Sequence, residues 1–185
     1  MPADLAERIV AAPDAAALVR QSGSAPEALT RLEEAGLLAG AARLVAHALP
    51  AREAVWWACM CADHTARADL PEPDRAARVA AERWVRELTE VTRRVAMETA
   101  QAAGLLTPEA WAGVAAFWSG GSMAPAGQPE VRPAPHLCGT AVAGSVLLAS
   151  VRGDAGRQPA RLRRFLASAR EIAAGQPGRL PHEDA

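Results

Sequence analysis

Apolar residues return along this chain at three- and four-residue intervals, and no stretch alternates apolar and polar positions in the two-residue period of a half-buried strand. That pattern predicts helices from end to end. Asp4-Leu5-Ala6-Glu7 and Ser24-Ala25-Pro26-Glu27 each set a cap residue three positions before an acid, the spacing that satisfies free backbone N–H groups at a helix start. They predict helices near 4–11 and 25–35. Asp14 is expected to cap a short helix between them, carrying Leu18 and Val19 and ending at Ser22-Gly23. Gly36 is expected to close the second capped helix, and the stripe Leu38, Ala42, Val45 and Leu49 predicts another that runs to Pro50. Pro50 then pre-sets the first turn of the next helix.

From Ala54 to Ala62 the sequence is apolar around the whole circumference of a helix, which marks the centre of a bundle rather than its surface. Ala77, Ala81, Trp84, Leu88, Val91 and Val95 keep one apolar stripe, with Glu82 and Arg86, and Glu90 and Arg94, as acid-first i,i+4 pairs on the other side. The stripe allows one helix over 74–103 or two with a break near Thr89. Thr107-Pro108-Glu109 is a helix start that places Trp111, Val114, Ala115 and Trp118 on one face, and Gly120 is the expected stop. Residues 119–135 are too rich in Gly and Pro for regular structure and form one long loop. Leu137 to Val151 is a nearly uncharged apolar run, short of the roughly 20 residues that cross a bilayer, and predicts a buried helix. A last helix over 159–174 aligns Leu162, Phe165, Leu166, Ala169, Ile172 and Ala173 until Gly175. The expected fold is all-α: one helical domain over 1–175, an irregular orthogonal bundle of about seven to nine helices around a central apolar helix, with a flexible tail at 176–185.

Composition narrows the chemistry. With two Phe, five Trp and no Tyr in 185 residues, the core must be built from Ala, Leu and Val, and Trp supplies much of the large buried surface. All 20 basic residues are Arg, which removes Schiff-base lysine chemistry and the phosphate-loop lysine. A net charge of −1 provides no long-range attraction for nucleic acid or anionic membrane. Three cysteines and a start of Met1-Pro2-Ala3-Asp4 point to a reducing, cytoplasmic setting without a signal peptide.

Four constellations invite a chemical reading. Cys59, Cys61 and His64 are metal-ligand types, but Cys59 and Cys61 project about 200° apart on a helix and cannot share one ion, so no metal is expected. His136 and Cys138 stand where the long loop enters a helix, where the dipole favours a thiolate, yet no orienting acid is evident and packing is the expected role. Ser119-Gly120-Gly121-Ser122 follows a helix rather than a strand, against a phosphate loop. Arg157, Arg161, Arg163 and Arg164, with Arg152 upstream, form the densest positive patch and are read as a solvated face. Trp remains. Trp56 and Trp57 project about 100° apart, so one can face the core and the other a groove.

Two segments carry a resemblance: Pro50-Ala51-Arg52-Glu53-Ala54-Val55-Trp56-Trp57-Ala58-Cys59 and Ala116-Phe117-Trp118-Ser119-Gly120-Gly121-Ser122-Met123-Ala124-Pro125. With Arg83-Trp84-Val85 between them, residues 25 to 150 resemble an uncharacterised bacterial family, a domain of unknown function whose members sometimes sit beside type VI secretion genes for spike proteins and their adaptors. The resemblance implies a helical cytoplasmic accessory protein and brings no activity with it. The expected function is therefore a non-enzymatic protein-interaction module, an adaptor or chaperone-like accessory, with no cofactor, no nucleic acid and a protein partner. Its candidate surface is Trp56, Trp57, Trp118, Met123, Pro125, Arg132 and His136. The alternatives are a small-ligand-binding protein or enzyme with a Cys/His site, and a homo-oligomeric structural part.

Overall fold

In the computed structural model, which describes residues 12–183, nine α-helices run in chain order and no strand is present among those residues. They are α1 (Pro13–Gln21), α2 (Ala25–Glu34), α3 (Leu38–Ala48), α4 (Ala51–His64), α5 (Glu72–Glu87), α6 (Glu90–Ala102), α7 (Pro108–Phe117), α8 (Leu137–Val151) and α9 (Gln158–Ala173). The helix expected near 4–11 lies outside the described residues.

The local signals work as their chemistry requires. Ser24 Oγ accepts from the Glu27 N–H at 3.3 Å, and Glu27 reaches back to the Gly23 N–H at 2.9 Å, one residue upstream of the usual capping-box partner. At the other end of α2, Gly36 takes φ +71° while the Leu37 N–H reaches the Leu32 carbonyl at 2.8 Å, a Schellman closure. Thr107 caps α7 through the Ala110 N–H. Asp14 does not cap α1. Ala12 occupies that position without a side-chain bond, because Pro13 opens the helix and leaves Asp14 in its first turn.

The 74–103 segment is two helices. Leu88 turns left-handed (φ 52°, ψ 32°) and Thr89 caps the new helix through the Thr92 N–H. The break rotates the buried face, so the stripe does not continue. Leu88 and Val91 are exposed, whereas Thr92, Arg93, Ala96 and Ala100 turn inward.

Helix α4 is the centre. It packs on α3, α5, α7, α8 and α9, and every residue from Ala54 to Ala62 except half-buried Trp56 is buried. Small side chains let the helices approach closely: a Cβ added at Gly113 of α7 would lie 2.6 Å from the Ala96 carbonyl oxygen of α6. Trp57, fully buried, donates its indole N–H to the Phe165 carbonyl at 2.8 Å and so ties α4 to α9. In α9 the expected apolar residues are buried except Ala173, which is exposed.

Residues 176–183, expected to be flexible, lie along the groove between α4 and α9. Trp56 donates to the Pro177 carbonyl at 2.7 Å and Ser168 to that of Gly178 at 2.5 Å. His64 Nδ1 bonds the Pro181 carbonyl, and the Glu183 N–H returns to the His64 carbonyl at 2.8 Å. No local period announces this, because the partners are more than a hundred residues away in sequence for Trp56 and His64.

Candidate functional site

The long loop is held by one buried cation. Arg93, 4 % exposed, is oriented by a two-pronged ion pair with Glu90 at 2.6 and 2.8 Å and lies 4.5 Å from the centre of the Phe117 ring. Its remaining N–H groups donate to the Phe117 carbonyl at 2.5 Å and the Ser122 carbonyl at 2.7 Å. Arg94 adds a bond to the Ala124 carbonyl at 3.0 Å. The loop then closes on itself: Ser122 Oγ accepts from the Ala124 and Val131 N–H groups at 3.1 Å, and the Met123 N–H donates to the Val131 carbonyl at 2.7 Å. The left-handed glycine at this turn is Gly121 (φ +64°), not Gly120, and α7 ends earlier, at Phe117.

So fixed, the loop forms one wall of a cleft of about 480 Å³. The opposite walls are the end of α3 at His47, the first turn of α4 and the first turn of α8 at Cys138 and Gly139. Trp118 and Arg132 line it from the loop side, and Trp118 meets Trp111 edge to face at 6.4 Å between ring centres. His47 packs so tightly on Gly139 that any Cβ there would collide with its ring.

His47 and Cys138 stay neutral in the cleft near pH 7, across from the Glu130–Arg132 ion pair on its loop side. Burial, with help from His136 and Arg43, lowers the His47 pKa to about 4. Burial also pushes the Cys138 thiol up to about 11, so desolvation outweighs the favourable helix dipole at that position. A thiolate–imidazolium pair is disfavoured twice over. Cys59 and Cys61 are fully buried, and burial raises both thiols further. No cluster of three metal-ligating side chains occurs among the described residues.

Of the surface expected from sequence, the structure brings together Trp118 and Arg132 on the cleft, with half-buried His136 close enough to influence His47. Pro125 stands at the exposed loop tip and Met123 is half-buried within the loop. Trp56 and Trp57 belong elsewhere, since their indoles face residue 177 and α9. His47 escaped the sequence reading. Its signal was a histidine in the last turn before Pro50, facing a Gly139 that only the tertiary fold places against it.

A second cleft, of about 890 Å³, is lined by Arg67, Arg75, Arg78, Arg152, Arg157 and Arg161, but each is answered by an acid. Arg161 of the expected solvated face is 5 % exposed and spends its donors on Glu183 and on the carbonyls of Ser150 and Arg152. Arg152 bonds the fully buried Glu109 carboxylate at 2.5 Å. These pairs hold helix ends together.

A profile of a family of unknown function, DUF6931, matches residues 28–173, from within α2 to the end of α9. The chain belongs to that family. The DUF6931 match therefore contains the whole cleft, with His47 and Cys138, and the Arg93 anchor. No curated protein and no solved structure matches the chain.

Proposed function

We propose that this DUF6931 chain is a non-enzymatic interaction module that takes a segment of a partner protein into the cleft between the 119–135 loop and the first turn of α8. The observation that carries this reading is the cleft itself, walled by a loop that Arg93 holds in place. Within it the buried Cys138 thiol stays protonated at neutral pH and is a poor nucleophile, and His47, its pKa lowered to about 4, is only a weak base. The anchored loop supports it as well, because a pre-formed wall lowers the ordering cost of binding. An adaptor or chaperone-like role in a type VI secretion apparatus, which the family resemblance suggests, makes a spike protein or its adaptor the partner to test first. A small-ligand or enzyme site at Cys138 is the weaker reading, since it requires the thiolate that burial suppresses.

A photo-crosslinking residue placed at exposed Arg132 on the cleft, with one at exposed Arg83 on α5 as control, tests this in the native cell. The expected result is one stoichiometric adduct specific to position 132, followed by a loss of affinity of about tenfold for the purified partner on Arg132→Glu. Identical adducts from both positions, or none from position 132, overturn it.

A further inference from the structure

We infer that the partner segment taken into the cleft beside the 119–135 loop carries an acidic side chain, whose carboxylate is received by the open N-termini of α4 and α8. This rests on the reading of that cleft as the binding site. Both first turns line it, and neither has a side-chain cap. In α8 the Leu137 and Thr140 N–H groups bond the carbonyls of Ala134 and His136, at 3.0 and 2.9 Å. Those of Cys138 and Gly139 between them have no partner among the described residues, and neither does that of Ala51 in α4. Cys138 and Gly139 are buried, where an unanswered backbone donor is costly. The positive ends of two helix dipoles thus face one cleft with their donors unused.

The side chains point to the same ligand. Cys138, 8 % exposed, lines the cleft with a thiol that burial keeps protonated and that has no hydrogen-bond partner among the described residues, so it is a further buried donor. On the loop side the Trp118 indole N–H is likewise unpartnered, whereas those of Trp56, Trp57 and Trp111 bond carbonyls. The one carboxylate among the described lining residues, Glu130, is already answered by Arg132 at 3.0 Å. Arg52 and Glu53, the charges of the first turn of α4, do not line the cleft, and Arg52 turns away to the Val85 carbonyl. The charged groups that act on His47 are His136 and Arg43, one turn away on α3, and Arg43 has neither ion pair nor hydrogen bond among the described residues. Free donors call for an acceptor, and the positive surroundings select a charged one. With the loop as one wall and the helix ends as the other, an extended chain lies along the cleft and reaches into it with a side chain.

The test titrates blocked peptides, Ac-Ala-Ala-Glu-Ala-Ala-NH2 and its Gln counterpart, into the isotope-labelled full chain and follows its amide and indole NMR signals. A third peptide, Ac-Ala-Ala-Ala-Ala with a free C-terminus, offers a main-chain carboxylate instead. Saturable shifts are expected at the Cys138 and Gly139 amides and the Trp118 indole, with the Glu peptide bound about tenfold more tightly than the Gln peptide. Arg43→Gln should reduce that advantage about threefold. His136→Asp, which puts a carboxylate of the chain itself at the start of α8, should abolish it and raise the midpoint of urea unfolding. Equal binding of the Glu and Gln peptides, or no shift at these three groups, overturns the inference. So does an advantage that survives both substitutions in variants that keep their helical circular dichroism. Tighter binding of the free-ended peptide than of the Glu peptide overturns it too, by assigning the donors to a partner's C-terminus. None of these outcomes bears on the adduct at position 132, so the reading of the cleft as a segment-binding site stands or falls by the cross-linking experiment alone.

Discussion

Arg93 shows how much one side chain can organise. Its planar head satisfies the Phe117 and Ser122 carbonyls while Glu90 neutralises it, so α6, the end of α7 and the loop share one fixed point. Arg93→Ala leaves buried acceptors without donors, and urea unfolding should show a loss of about 3 kcal/mol. Arg93→Lys should restore little of it, because an ammonium cannot serve three directions in one plane. His47 makes a different prediction. Its pKa falls from 6.5 to about 4 on folding, so between those values the unfolded chain binds a proton that the native chain does not. Stability should therefore rise with pH across that window and gain nothing more from His47 above it. Unfolding free energies at pH 4.5 and 7 should differ less in His47→Gln than in the parent; an equal difference would remove His47 from the account.

At the scale of the element, the α5–α6 junction is strained by design of its sequence. Leu88 holds φ 52° and is 54 % exposed, so it bears the left-handed steric cost while burying little. Leu88→Gly should raise the unfolding free energy by roughly 0.5–1 kcal/mol without moving the helices. Gly113→Ala tests the opposite case, a helix crossing that has no room for a methyl group. It should cost about 1–3 kcal/mol, read by the same urea titration.

The whole molecule is a helical bundle in which two neighbouring ion pairs join distant segments, Glu109 to Arg152 and Arg161 to Glu183. Hydrogen bonds from Arg161 hold the Glu183 carboxyl below its usual range of about 4.5. The stabilisation from a depressed carboxyl is complete above the unfolded value and is lost as pH falls through the folded one. Acidification below 4.5 should thus release residues 176–183 before the core opens. Hydrogen-exchange protection factors should fall at the Glu183 amide while those of α4 persist. Simultaneous loss in both would show that the segment and the core unfold as one unit.

The helices of this bundle could be read from local chemistry. Ser24 and Thr107 are caps by virtue of their own hydroxyls, Gly36 ends α2 by lacking a Cβ, and the Leu137–Val151 run matches the α8 boundaries because burial on all sides demands it. The all-α class follows from such signals, since each acts within one or two turns. Which of two adjacent tryptophans would be buried, whether Arg93 or Val91 would turn inward, and where residues 176–183 would lie depended on partners 24 to 121 residues away. The cleft belongs to that second kind. His47, Trp118 and Cys138 meet only because α3, α7 and α8 pack together, and the desolvation that neutralises the thiol and the imidazole exists only once they do.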